Sequence, residues 1–206
     1  GVYAKSSVTL TGNTMTENSA ERGGGVYIKG TATLTSNTIT NNTASGWEGG
    51  GVLVIASSRT IVLTDNTITG NTAQANGGGV SVDASYGTVT LTNNTISNNK
   101  VIGNYNGGGV SVSSNTANFT GNKVSGNTTG ESGGGLYVRS DTVTVTNNTI
   151  NNNTANGNNR YTYGGGGIYV YFSYSSSKAS FTDNTIKGNV AEPNGGGIFV
   201  LGYSNR

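Results

Sequence analysis

The chain has 206 residues, of which only 32% are hydrophobic and 10% charged, and its formal net charge is +2. That balance argues against a nucleic-acid partner or an anionic membrane, and no apolar run approaches the roughly 18 residues of a membrane span. Cysteine and histidine are absent, which excludes a disulfide framework and a thiolate metal site.

The chain opens Gly1-Val2-Tyr3 with no initiator Met and no signal peptide, as expected of a processed or excised piece. Thirty-five glycines in so polar a sequence would suit a disordered linker. Against that stand a single proline and a regular recurrence of Val, Ile and Leu. The first predicted element is a short alternating strand starting at Val2. A second follows at Val8-Thr9-Leu10-Thr11, with Val8 and Leu10 inward, and a third carries one large inward residue, Met15. The same order returns down the chain. Val26-Tyr27-Ile28 and Ile168-Tyr169-Val170 repeat the first strand, and Ile39, Ile68, Ile96, Val124, Ile150 and Ile186 repeat the place of Met15. A small apolar residue often follows five positions later, as at Ala20, Ala44, Ala73, Ala155 and Ala191. The period of two, the short runs and the β-branched residues exclude an α-helical reading.

Glycine triplets mark each return: Gly23 to Gly25, then triplets beginning at Gly49, Gly77, Gly107, Gly133, Gly165 and Gly195, each followed by Val, Leu or Ile. Measured on their last glycines, the spacing runs from 24 residues (Gly1 to Gly25) to 32 (Gly135 to Gly167). Between triplets one Asn recurs at Asn13, Asn37, Asn66, Asn94, Asn122, Asn148 and Asn184. A second follows five residues later at Asn18, Asn42, Asn71, Asn99, Asn127, Asn153 and Asn189. Leu34 and Ile39 are both apolar but five apart, so alternation breaks between them at Ser36-Asn37. Asn, Asp and Gly enter the left-handed backbone region most readily and can turn the chain there. The prediction is an all-β chain: one right-handed parallel β-helix over 1–206, with about seven three-stranded coils. Two Asn columns would form hydrogen-bonded ladders at about 4.8 Å per coil, in a rod about 35 Å long. One coil cannot fold alone, and stacking must stabilise it.

The Gly-Gly-Gly-Val/Leu/Ile sequences, together with Phe119-Thr120-Gly121-Asn122 and Phe181-Thr182-Asp183-Asn184, resemble the paired GGA[ILV] and FxxN repeats of the polymorphic outer-membrane protein family of bacterial autotransporters. Here glycine stands for the family's alanine, and Leu or Val for Phe in the other coils. More broadly the chain resembles the pectin-lyase-like β-helix superfamily. The resemblance implies the fold, whereas members serve as adhesins, surface proteins, lyases and hydrolases.

Enzymatic members of that superfamily cluster Asp with His, Arg or Lys, or use Asp-bound calcium. This chain has four Asp, and Asp65 and Asp183 occupy equivalent corners four coils apart, roughly 19 Å. Asp83 and Asp141 fall in different coils, and the five Glu are scattered. The expectation is no enzyme and no cofactor or metal. Binding has more support. The outward positions of the first strand read Tyr3, Tyr27, Leu53, Ser81, Ser111, Tyr137, Tyr169, Phe199, with aromatics at both ends. The long loops between Asn153 and Phe181 add Arg160, Tyr161, Tyr163, Tyr171, Phe172 and Tyr174, and Trp47 sits in a loop beside Glu48. Arg160, Tyr161, Tyr163, Tyr169, Tyr171, Tyr174 and Trp47 are the candidate interface for sugar or protein, although outward Tyr can also simply stack as a cross-strand ladder.

Outward Thr pairs (Thr9/Thr11, Thr33/Thr35, Thr90/Thr92, Thr144/Thr146, and Thr14/Thr16, Thr38/Thr40, Thr67/Thr69) resemble the arrays of ice-binding β-solenoids, with Val62, Asn118 and Lys123 interrupting them. Six Asn-x-Ser/Thr sequons begin at Asn41, Asn93, Asn118, Asn127, Asn147 and Asn152. Neither end looks capped, so the chain is expected to be part of a longer solenoid or a subunit that stacks into a fibre. The expected function is a non-catalytic structural or adhesive solenoid, extracellular or at the cell surface. Its partners would be other copies of itself, or a surface glycan or protein. The alternatives are a polysaccharide-binding or degenerate polysaccharide-lyase-like module, and an ice-binding protein.

Overall fold

A computed structural model describes residues 1–157 and 164–202. Every strand pairs in parallel with its counterpart one coil away, which produces a β-solenoid of about seven turns. Coils are numbered here from the strands that follow the glycines, so that the first starts at Val2, the fourth at Val80 and the seventh at Ile168.

Each coil runs through three sheets; the fourth, fifth and sixth coils have the three strands expected, and the first, second, third and seventh have four. In the second coil these are Val26–Lys29, Ala32–Thr35, Thr38–Thr40 and Thr43–Ala44. The first two belong to one 12-stranded sheet, and the third and fourth each build a seven-stranded sheet. In the fourth, fifth and sixth coils the first two fuse into single strands, Val80–Thr92, Val110–Thr120 and Leu136–Thr146. The fourth strand holds only two or three residues with one inward side chain, such as Ala44 or Ala73, which is too short to give a periodic signal.

The core is a set of stacked aliphatic columns. Ile39, Ile68, Ile96, Val124 and Ile150 form one behind the third strands, and Leu34, Leu63, Leu91, Phe119 and Val145 another. Burying each such side chain contributes about 1.5–3 kcal/mol. The last coil is more open, and Ile198 and Val200 keep 36% and 44% of their surface.

Both Asn columns form ladders. The Nδ2 of Asn94 donates to Asn122 Oδ1 (3.0 Å) and to the Leu63 carbonyl of the coil before (2.8 Å), and the Asn94 backbone N–H donates to the same Oδ1 (2.9 Å). Asn99 repeats this with Asn127 and Ile68. The amides all point one way along the stack and reinforce one another. Among the described residues no buried side-chain nitrogen or oxygen lacks a partner.

The left-handed residue at each corner is the one before the ladder Asn, not the Asn itself. Gly12, Ser36, Asp65, Asn93, Gly121, Asn147 and Asp183 take φ between 53° and 66° before the first column. Glu17, Asn41, Gly70, Asn98, Gly126, Asn152 and Gly188 take φ between 53° and 68° before the second. The turn and the rung are thus separate duties of adjacent residues. This division also sorts the sequons: Asn41, Asn93, Asn147 and Asn152 are exposed corner residues, whereas Asn127 is a fully buried rung.

Each glycine of a triplet has its own reason. Gly77 has φ +70°, and a Cβ there would lie 2.3 Å from Val80 O. A Cβ on Gly78 would lie 2.4 Å from Gly108 O in the next coil, and one on Gly79 would lie 2.9 Å from the ladder amide of Asn99. The triplet is where the backbone crosses closest to the second ladder.

Candidate binding groove

The outward column expected on the first strand exists in register: Tyr3, Tyr27, Leu53, Ser81, Ser111, Tyr137, Tyr169 and Phe199 pair in succession. The small Ser81 and Ser111 leave a depression between the flanking larger residues. Asp83, Ser113, Arg139 and Tyr171 form the next outward column beside it.

Three adjoining depressions share Arg139. One, of about 290 Å³, has Ser81 and Ser111 on its lining with Glu48, Asn76, Asp83 and Asn106. A second of the same volume runs along Glu131, Tyr137, Tyr169 and Tyr171. The third, about 250 Å³, lies between Tyr86 and Tyr174, with Asp141, Ser113 and Ser173. The Arg139 guanidinium is 5.8 Å from the Tyr171 ring centre, and its Nε donates to Ser173 Oγ at 3.3 Å.

The local sequence explains the mouth of this groove. In the fourth coil Ala84 pairs with Ser114 and Thr88 with Thr116, so Ser85-Tyr86-Gly87 oppose the single residue Asn115. That bulge pushes Tyr86 outward until 79% of it is exposed. Tyr174, in the turn after Phe172, is 62% exposed. Two aromatic rings thus border a polar hollow, an arrangement suited to sugar rings with an apolar face and hydroxyl edges.

Acidic groups line the groove without forming a cluster. Asp83 accepts from Ser85 Oγ at 2.7 Å, Glu48 from Asn76 Nδ2 at 2.9 Å, and Asp141 from Ser177 Oγ at 3.4 Å. Burial pushes the Glu131 carboxyl above its ordinary value. Burial also raises the Tyr137 hydroxyl, with Arg139 opposing and Tyr171 and Glu131 adding to the rise.

Of the seven residues expected to form an interface, the four that are described do not gather in one place. Tyr171 and Tyr174 line the groove. Tyr169 also borders the second hollow but is only 2% exposed, sandwiched between Tyr137 (5.2 Å, 3°) and Phe199 (5.6 Å, 11°), so its faces are used inside the molecule. Leu53, outward by parity, is buried as well. Trp47 lies elsewhere: its indole N–H donates to Glu21 Oε1 at 3.2 Å, and the Arg22 guanidinium sits 4.5 Å from its ring centre. Arg160, Tyr161 and Tyr163 lie outside the described residues. Sequence reasoning missed Tyr86, Arg139, Glu48, Asn76 and Asn106. The bulge that exposes Tyr86 has a readable signal in Ser85-Tyr86-Gly87, which stand where the next coil has the single residue Asn115 between strands of matching pattern.

No helix among the described residues is long and apolar enough to cross a membrane. No curated protein and no solved structure matches the chain. Residues 25–206 match the family model described as a right-handed β-helix region, a span that takes in every coil from the second onward. The chain belongs to the right-handed β-helix family.

Proposed function

We propose that this β-helix is a non-catalytic scaffold of the cell surface or extracellular space, structural or adhesive in role, that holds a short stretch of polysaccharide in the Arg139 groove. The observation that carries the reading is the position of Arg139 within three adjoining hollows, one bordered by exposed Tyr86 and Tyr174. Aromatic faces would stack on sugar rings, while Arg139, Asn76, Asn106 and the carboxylates would bond hydroxyl groups. A binding role rather than a catalytic one is supported by Asp83 and Glu48, each already held by a neighbour. The resemblance of the repeats to autotransporter surface proteins is in keeping with display outside the cell. Self-association belongs to the same reading, and sedimentation over a range of concentrations tests it: uniformly monomeric rods would remove the fibre.

A glycan array tests the groove. Binding that disappears in Arg139→Ala and in the pair Tyr86→Ala with Tyr174→Ala is expected, and no binding to any glycan would sink the reading.

A second reading has its own observation. Thr11, Thr35, Thr64, Thr92, Thr120, Thr146 and Thr182 form an unbroken outward column. Among the described residues none of their hydroxyls is hydrogen-bonded to protein. Fixed β-branched hydroxyls at coil spacing could order water on an ice surface. Ice-recrystallisation assays on the chain and on Thr92→Lys with Thr120→Lys decide it, and inactivity of the unaltered chain would end it.

A further inference from the structure

A different part of the same face collects cations. Lys5 and Lys29 occupy equivalent places one coil apart, since Ala4 pairs with Ile28. Arg59 closes the turn after the equivalent strand in the third coil, where its N–H donates to Ala56 O. With Ser6, Ser7, Ser57 and Ser58 these three line a recess of about 740 Å³ in which no carboxylate takes part. This is unlike the Arg139 groove, where Glu48, Asp83, Glu131 and Asp141 balance the arginine.

Like charges directly opposed on neighbouring strands destabilise a sheet, yet nothing here offsets them with an acid. The ammonium groups rest instead over tyrosine rings, Lys5 at 6.0 Å from the Tyr3 centre and Lys29 at 5.5 Å from that of Tyr27. That interaction orders the cations without neutralising them. The hydroxyls of the four serines make no hydrogen bond to protein among the described residues. Two lysines held over rings, the Arg59 guanidinium and four free hydroxyls in one recess form a receptor for a multiply charged anion.

We propose that the Lys5–Lys29–Arg59 recess binds a polyanionic glycan, one carrying sulfate or uronate groups along its chain. Three coils span about 10 Å, enough for a short stretch of polymer with successive charges. The recess lies between turns, where a flat bilayer reaches poorly. Lysines lie over the nearby rings of Tyr3 and Tyr27, and the two rings pack against each other at 5.1 Å, which leaves less ring face for stacking on nucleobases. The site stands apart from the Arg139 groove and does not depend on it.

The test is titration of the full chain with dextran sulfate, uncharged dextran of the same length and polygalacturonate at about 150 mM salt, with anionic-lipid vesicles and single-stranded DNA as competitors. Either charged glycan should bind, uncharged dextran should not, and affinity should fall with salt. The combination Lys5→Ala, Lys29→Ala and Arg59→Ala should weaken binding at least tenfold. Lys100→Ala with Lys123→Ala and Lys187→Ala, which removes equal charge from the other two sheets, should leave it within about twofold. Arg139→Ala should also leave it intact, so failure here and failure of the groove are separable. An equal loss in both triple variants would overturn the proposal, because net charge alone would then explain binding. Absence of charged-glycan binding, or tighter binding of vesicles or DNA, would overturn it as well.

Discussion

Two kinds of corner join the strands, and they obey opposite rules. The corners carrying the ladders have the same length in every coil: one left-handed residue, then one Asn. The junction between the first and second strands varies from coil to coil. It is Lys5-Ser6-Ser7 in the first coil, Ala56 to Arg59 in the third, a bulge at Ser85-Tyr86-Gly87 in the fourth, and Phe172 to Ser177 in the seventh. A corner locked by hydrogen bonds to the coils on both sides cannot change length without breaking a column. A corner that only spans the outer surface can, and the cationic recess and the Tyr86–Tyr174 hollow lie along it. Glu48, Asn76, Asn106 and Glu131 reach the groove from the loops that precede the glycine triplets.

The sharpest way to break this comparison is insertion. Two glycines placed after Asn93 should abolish cooperative folding, because the rung at Asn94 would leave both its neighbours. The same insertion after Ser58 should cost about 1 kcal/mol or less, since a surface loop lengthens cheaply. Urea unfolding of the two variants measures the contrast, and comparable losses would refute it.

Asn94→Asp comes next. A carboxylate there can only accept, yet it would face Leu63 O and Asn122 Oδ1, which are acceptors in the ladder. Leaving buried groups unpaired costs about 1–3 kcal/mol each, so a loss of about 3–5 kcal/mol is expected at neutral pH. Burial would raise the folded-state pKa of this carboxyl above its ordinary value. The damage should therefore be least below that value and grow as pH rises through it. Stability of the variant relative to the unaltered chain, measured from acid to neutral pH, checks the sign.

Gly108→Ala tests the crossing of the triplets. Its Cβ would lie 2.5 Å from Gly134 O and 2.6 Å from the Thr128 backbone. Neither can move without shifting a coil, so a loss of about 3 kcal/mol is expected in denaturant unfolding.

The smallest effect belongs to the variable face. Glu131 has a raised pKa because of burial, so its ionised form disfavours the fold slightly. Glu131→Gln should raise stability at pH 7 by no more than about 0.5 kcal/mol, as the side chain remains largely in water. The gain should vanish below the ordinary value of 4.5, where both states hold the proton. A larger gain that persists at low pH would point to packing instead.

The same contrast explains what the sequence discloses. The ladders and triplets are legible because one residue type must recur at one spacing, so Asn13 to Asn184 and Asn18 to Asn189 announce the fold. The fourth strand is half legible, since its inward residue recurs at Ala20, Ala44, Ala73, Ala155 and Ala191 but one side chain per strand has no alternation to mark it as a strand. Which member of a corner pair turns left-handed is hidden at Asn41-Asn42 or Asn93-Asn94, where both residues are Asn. The groove is harder still. Parity puts Tyr169 and Leu53 outside, but Tyr137 and Phe199 cover the ring of Tyr169. Lys5 and Lys29 follow the repeat register, but Arg59 joins them only through a loop of different length, so no fixed spacing reveals the three together.

The most direct test of a constant frame carrying a variable binding face pairs Arg139→Ala with Thr95→Ala, an outward residue of the second sheet. Affinity for the glycan selected on the array and the melting temperature are read together. Arg139→Ala should lower affinity at least tenfold while the melting temperature stays within about 2 °C, and Thr95→Ala should change neither. Equal loss of affinity in both variants, or full affinity in Arg139→Ala, would contradict the assignment of binding to the variable face.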